Sequence, residues 1–340
     1  MRRVTPTPGG HTGQPGKDVI AGSAFSELGV FPESGFDVVT GAFSYSGAAI
    51  AGALLRAGRS VRTLTGHPER APSGGGGVEV RPLDFDDAPG LTASLHGATT
   101  LYNTYWVRFP RGKTNHARAV ANSRTLFHAA RQAGVERIVH VSIVHPNLES
   151  PYAYFRGKAE VERALFAVGV PYAVLRPAIL FGEGGVLLNN IAWLLRRLPV
   201  FGVGGRGDYR VRPIHVDDLA ALAVASGAEP AGSASTLTDA VGPDRPTFLE
   251  LVHCIREAVG SRTLVVRLPG VFIAPLARAL GLVLRDVLLT GDEYRAMAGG
   301  LADTDGPATG SIAVSEWVQS NADGLGRSYA NELDRHFRRG

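Results

Sequence analysis

From residue 36 onward, short apolar runs alternate with longer stretches of helical period. The first run, Phe36-Asp37-Val38-Val39-Thr40, ends at Gly41 and predicts a buried strand. Behind it Ala48, Ala49, Ile50, Ala53, Leu54 and Leu55 share a helical pattern, and Gly58 supplies a stop. Val61 to Thr65 predicts a second strand, Gly74 to Gly77 a loop, Val78 to Leu83 a third strand and Thr99 to Thr104 a fourth. A long helix over Thr114 to Ala133, closed by Gly134, precedes a strand over Arg137 to Ser142. Tyr154 to Val168 is the next helix, Gly169 its stop, and Tyr172 to Leu175 the next strand. This order predicts an α/β fold of Rossmann type, a doubly wound parallel sheet with helices on both faces.

After Gly185 the alternation breaks down. Asn189 to Leu198 reads as a helix, Val211 to Val216 as a strand returning to the sheet, and the remainder as mixed. The expected organisation is a Gly/Pro/Ser/Thr-rich tail over 1–34, a dinucleotide-binding domain over 35–185 and a smaller, mixed substrate lobe over 186–340. Residues 211–225 are expected to rejoin the first domain. Leu264 to Leu289 is apolar but is broken by Arg267, Pro269, Pro275, Arg278, Arg285 and Asp286. A buried or half-buried helix pair is favoured there, with an interfacial helix on a membrane surface as the lesser alternative.

Composition narrows the function. Hydrophobic residues at 44% and charged residues at 19% describe a globular chain, and one cysteine, Cys254, excludes an internal disulfide and any cysteine-based zinc cluster. A formal net charge of +4, with scattered arginines, argues against a nucleic-acid partner. No apolar segment follows Met1-Arg2-Arg3, so a cytoplasmic protein is expected. Only three of the 35 basic residues are lysines, Lys17, Lys113 and Lys158, which makes each an uncommon choice.

The first strand leads into Thr40-Gly41-Ala42-Phe43-Ser44-Tyr45-Ser46-Gly47. A strand-to-helix turn of this kind can hold a pyrophosphate if the bend is tight and backbone N–H groups and the helix dipole reach the charge. Gly41 serves the bend and Gly47 close helix–strand packing, with Phe43, Ser44 and Tyr45 completing the cradle. Ser44 stands where a dinucleotide fingerprint carries a second glycine. No acid follows the second strand directly. His67 and Arg70 there suit a 2′-phosphate, which favours NADP over NAD, although a merely solvated pair reads nearly as well. Asp84, after the third strand, is placed to meet the adenine amino group.

Tyr154 and Lys158 lie four residues apart, on one helical face. A phenol titrates near pH 10, and lowering that by three units takes roughly 4 kcal/mol of differential interaction. A cation beside it supplies such a bias, so the pair can move a proton at a substrate oxygen while a nicotinamide exchanges hydride. His140 and His145 flank one strand end without a carboxylate and read as packing residues, so no metal is expected. Tyr102, Asn103, Tyr105 and Trp106 read equally as core or as nicotinamide neighbours, and Asn189, Asn190 and Trp193 as substrate-facing candidates.

Together the Thr40–Gly47 loop, Tyr154/Lys158, Arg176-Pro177 and His215-Val216-Asp217-Asp218-Leu219-Ala220 resemble the extended and atypical short-chain dehydrogenase/reductases. Within them the chain is most similar to NmrA-like and epimerase-like NAD(P)-binding proteins, and also to the accessory NAD(P)H-binding subunit of respiratory complex I. The resemblance covers residues 36–225 well and the C-terminal hundred or so loosely. It implies Tyr154 as the acid–base group, Lys158 as its partner and ribose ligand, and Arg176-Pro177 as the opening of the loop beside the nicotinamide. It implies a structural role for His215 to Asp218. Active members carry Ser or Thr where this chain has Val144. Ser142 or His145 is then left to orient a substrate carbonyl. The expected function is an NAD(P)-dependent oxidoreductase or epimerase-like enzyme acting on a small carbonyl or hydroxyl substrate. The alternative is a non-catalytic NAD(P)H-binding sensor or respiratory accessory protein.

Overall fold

The computed structural model describes residues 35–71, 75–110, 112 and 114–332. The expected tail over 1–34 and Gly74 lie outside the described residues.

The first half contains β1 (Phe36–Thr40), α1 (Tyr45–Arg56), β2 (Val61–Thr65), β3 (Val78–Pro82), α2 (Ala88–Leu95) and β4 (Ala98–Asn103). It continues through α3 (His116–Gln132), β5 (Arg137–Val141), α4 (Ala153–Phe166) and β6 (Tyr172–Pro177). The second half holds β7 (Ile179–Phe181), α5 (Val186–Leu195), β8 (Val200–Gly204), β9 (Pro213–His215), α6 (Val216–Gly227) and β10 (Thr236–Ala240). It ends with α7 (Phe248–Ala258), β11 (Leu264–Leu268), α8 (Ile273–Leu284), α9 (Gly291–Ala298) and α10 (Val314–Ser320).

The main sheet has seven parallel strands in the order β10-β6-β5-β4-β1-β2-β3. The order reverses between β1 and β4, which opens a crevice at the carboxyl ends of those strands. Each sheet face buries its own core. Val38, Leu64, Leu101, Ile138 and Val174 pack with α2, α3 and α4 residues on one side. Val39, Tyr102, Val139 and Leu175 pack with α1 and α6 on the other. Burial on both faces explains the contiguous Val/Ile runs.

Three differences from the sequence expectation have local causes. The short α2 starts at Asp87, whose carboxylate caps Gly90 N at 2.9 Å, and its Ala-Pro-Gly opening resembles a turn. The strand expected over 211–216 is β9, which pairs with β7 in a separate two-stranded sheet. The seventh strand of the main sheet is instead β10, an edge strand whose Leu237 is exposed. Meanwhile α6 lies on α1 through Leu219, Ala220, Ala223 and Val224. A third core lies in the C-terminal lobe, with Leu188, Ile191 and Leu195 of α5 facing Leu251, Val252 and Ile255 of α7 and Val318 of α10. The expected helix pair over Leu264–Leu289 is a strand, β11, followed by one helix, α8, half of whose residues are exposed. No described helix is long and apolar enough to cross a membrane.

Candidate nucleotide-binding crevice

The turn between β1 and α1 has the form a pyrophosphate needs. Gly41 adopts φ +66°, a left-handed conformation that other residues enter at a cost. A Cβ on Gly47 would stand 2.1 Å from the Gly41 carbonyl oxygen, so only glycine lets α1 start this close to the strand. Ser44 is the N-cap, is exposed, and makes no side-chain cap bond, so its hydroxyl is not spent on its own helix. The first turn of α1 carries no acid, which leaves its positive end to a phosphate. Phe43 is half-buried beside it, and Tyr45 sends its hydroxyl toward the Gly182–Gly185 turn. These features fit a dinucleotide phosphate.

The carboxyl ends of β1 and β4 are laced together. Thr40 Oγ1 accepts from Thr104 N at 2.8 Å, and Thr104 Oγ1 donates to the Thr40 carbonyl at 2.6 Å. After β2, His67 Nδ1 lies 3.0 Å from Glu69 Oε1, and Arg70 is half-buried next along the turn. Asp84 is exposed, and its carboxylate accepts from Asp86 N at 2.9 Å. Nearby, Phe85 and Tyr105 rings meet at 4.7 Å, and the Tyr105 hydroxyl accepts from Asn122 at 2.8 Å. Tyr102 is fully buried in the core, so of the two readings for it the core one holds.

On the other side of the crevice, Tyr154 and Lys158 share one face of α4, as their spacing requires. The Tyr154 ring meets Trp106 at 5.6 Å and His116 at 5.9 Å, both edge-on. Gly157 makes this box feasible, since a Cβ there would come within 2.8 Å of the Trp106 ring. Burial pushes the phenol up to about 12, against a smaller opposite pull from Arg108. Lys158 is buried beneath the box, its Nζ 4.8 Å from the Trp106 ring centroid and donating to the Val141 carbonyl at 2.9 Å. Loss of hydration pulls its ammonium down to about 7. The cation expected to acidify the phenol therefore faces the sheet and is itself weakened.

One turn further along α4, buried Glu162 accepts from Ser142 Oγ at 2.5 Å. It also takes both guanidinium arms of Arg176, at 3.0 and 2.5 Å. Ser142 and Arg176, expected at the substrate and nicotinamide, are thus joined in a structural triad that ties β5, α4 and β6 together. Pro177 is buried at the end of β6. Val144 is fully buried, and His145 donates from Nε2 to the Asp303 carbonyl of the lobe at 2.5 Å. His140 is enclosed, with Nδ1 3.1 Å from Asn103 Nδ2, and desolvation holds it well below its usual range. No metal-holding cluster occurs among the described residues.

Sequence reasoning missed Arg108, His116, Gly157 and Glu162. The Lys158-x-x-x-Glu162 spacing was a usable signal for the last of these. A second feature it missed is an apolar cavity of about 290 Å³ between α5, β8, α7 and α8. Arg108, which is ion-paired to Glu293 and Glu332, lines it, and so do Tyr209 and Tyr294. Asn190 lines it as well, with its side chain held by the Ala330 backbone at 2.9 and 3.0 Å. Asn189 and Trp193 instead face Ser328 and Tyr329.

A seven-stranded parallel sheet with a glycine turn at its switch point defines a Rossmann-type nucleotide-binding protein with an appended lobe. Residues 41–190 match a family described as NAD(P)H-binding. These matches make the chain similar to the extended short-chain dehydrogenase/reductase-like NAD(P)-binding proteins. It is 26% identical over 209 residues to the mitochondrial NADH dehydrogenase (ubiquinone) 1 alpha subcomplex subunit 9 of Arabidopsis thaliana, covering 59% of this chain and 50% of that protein. It is 22% identical over 219 residues to the mitochondrial NADH-ubiquinone oxidoreductase 40 kDa subunit of Neurospora crassa, covering 64% and 57%. The chain spans about half the length of the curated relatives it matches. In fold it is similar to the Citrobacter sp. triphenylmethane reductase complexed with NADP(H), at TM-score 0.70 and 20% identity over 84% of this chain and 99% of that one. It is also similar to the NADPH-dependent quinone oxidoreductase of Escherichia coli complexed with NADPH, at TM-score 0.68 and 22% identity over the same shares.

Proposed function

We propose that this protein holds NADPH as a bound ligand without a tyrosine-driven proton transfer, serving as a nucleotide-binding module of a sensor or a larger assembly. The observation that carries the reading is the placement of Lys158. Its Nζ is spent on the Val141 carbonyl, while the Tyr154 phenol is pushed up to about 12 in an aromatic box. With Ser142 committed to Glu162 and Val144 apolar, neither position offers Tyr154 a hydroxyl to help hold a carbonyl. The glycine turn, by contrast, keeps the left-handed bend at Gly41, the close approach at Gly47 and a first helical turn free of acids. Curated relatives that are subunits of a respiratory assembly support the same reading.

When bound, the nicotinamide nucleotide would supply hydride. The residues that would hold it are the Gly41–Gly47 turn for the pyrophosphate and Arg70 with His67 for a 2′-phosphate, which favours NADPH over NADH. A second reading has one observation behind it, the apolar cavity beside Arg108. It is that of a reductase for an apolar acceptor, with size near the low end for ligand pockets.

Fluorescence titration with NADPH and NADH separates these. NADPH is expected to bind more tightly, Arg70→Gln to narrow the gap, and Gly47→Val to abolish binding of both. Tyr154→Phe is expected to leave affinity within about fivefold, since a single neutral hydrogen bond is worth roughly 1 kcal/mol. Failure of either nucleotide to bind overturns the proposal. NADPH oxidation by added quinones or aldehydes that Tyr154→Phe eliminates would overturn it in favour of the enzyme.

A further inference from the structure

We propose that the outer face of α8 and the adjoining edge of β11 form a docking surface for an anionic lipid bilayer. The proposal is independent of nucleotide binding.

The inner side of α8 is accounted for. Ile273 is buried, Ala277 and Leu280 line the cavity against β8, and a Cβ on Gly281 would strike the Asp286 carbonyl oxygen. Its outer side has no partner among the described residues, apart from Leu276, which also reaches the cavity rim beside Gly202 of β8. Val271 is 76% exposed, Phe272 58%, Leu276 52%, Leu282 76% and Val283 78%. Phe272, Leu276, Ala279 and Val283 recur at the spacing of one helical face, with Leu282 and Pro275 widening the stripe. Exposed Leu264 and Val200, paired neighbours on β11 and β8, extend the apolar surface onto the small sheet. Scattered surface leucines need no explanation, but large side chains gathered on one helix and its neighbouring sheet mark an interaction site.

Charge identifies the occupant. Arg262, Arg267, Arg278 and Arg285 are exposed on this segment, and among the described residues none of the four is ion-paired. The segment's one acid, Asp286, is buried and accepts from the Tyr329 hydroxyl at 2.6 Å. Arg278 lies along one edge of the apolar stripe, and Arg285 follows as the left-handed C-cap of α8. An apolar arc edged by arginines whose stems can reach outward is the form of a helix lying in a headgroup layer. A second protein molecule would have to bring acids to meet these arginines, and this chain's own outer face offers none in the segment. A phospholipid surface brings both the anionic layer and the apolar layer below it.

The test is flotation of the full chain with vesicles of phosphatidylcholine mixed with phosphatidylglycerol, and with vesicles of phosphatidylcholine alone. The protein is expected to float with the anionic vesicles and to stay below the zwitterionic ones. Arg267→Gln with Arg278→Gln should lower partitioning by about thirtyfold. Phe272→Ser with Val283→Ser should abolish it, and both double variants should keep the wild-type melting temperature because these side chains are already solvated. No flotation with anionic vesicles overturns the proposal, as does flotation that the variants leave unchanged. Sedimentation of the vesicle-free protein as a dimer that Phe272→Ser with Val283→Ser dissociates would overturn it in favour of self-association.

Discussion

The main sheet and the β8–β11 pair are both parallel and both rich in valine, yet they bury their side chains very differently. In the main sheet Val38, Leu101 and Ile138 on one face and Val39 and Val139 on the other are enclosed by helices. In the small sheet Phe201 and Val265 face the lobe core, while Val200 and Leu264 on the other face stand exposed beside α8. The first arrangement draws its stability from burial on both faces. The second leaves apolar surface outside, where folding gains nothing from it. The comparison teaches that similar strand composition serves cohesion in one region and contact with something external in the other.

If the main domain is the cohesive region, its buried polar triad must be costly to break. Glu162→Ala would leave the Arg176 guanidinium and the Ser142 hydroxyl without their acceptor, and loss of one member of a buried pair costs roughly 3 kcal/mol. Urea unfolding should show that loss as a shifted midpoint with an unchanged slope, and Glu162→Gln should recover part of it by keeping the hydrogen bonds. A shift below about 0.5 kcal/mol would erase the distinction between the regions.

The sharper test within the same domain uses pH. Lys158 titrates near 7 in the folded chain against an ordinary lysine value of 10.5. Between those values the unfolded chain holds a proton that the folded chain does not, so stability rises as pH increases. Below pH 7 both states are charged, and the folded state bears the full penalty of burying the ammonium. Lys158→Met removes this linkage. The unfolding free energy of the wild type relative to the variant should therefore increase by about 2 to 3 kcal/mol from about pH 6 to about pH 9, without nucleotide present. A difference that stays flat with pH would place the ammonium in contact with water.

How much could be read in advance follows the same division. Strands enclosed on both faces announce themselves as unbroken apolar runs, so β1, β2, β4 and β5 were expected almost to the residue. Gly41 and Gly47 were readable because a turn and a close approach leave no other choice. The box around Tyr154 was only half readable. The Tyr154/Lys158 spacing fixed a common face of α4, but nothing in the spacing says that Nζ turns to Val141, that Trp106 arrives from the β4–α3 connection or that His116 arrives from the start of α3. Those are outcomes of tertiary packing. In the lobe, Leu264-Val265-Val266-Arg267-Leu268 has the apolar content of a helix and the length of a strand, and only pairing with β8 decides between them.

The smallest expected effect carries the most information about the outer region. Leu282 is 76% exposed on the last full turn of α8. Leu282→Ala removes apolar area that is already in water, and alanine is the better helix former, so stability should change by less than about 0.5 kcal/mol in either direction. Chemical denaturation of the lipid-free protein measures this directly. A loss of about 2 kcal/mol or more would mean that Leu282 is packed in solution, with α8 folded back over the small sheet. A change near zero means that the side chain is kept on the surface for a purpose other than holding the fold together.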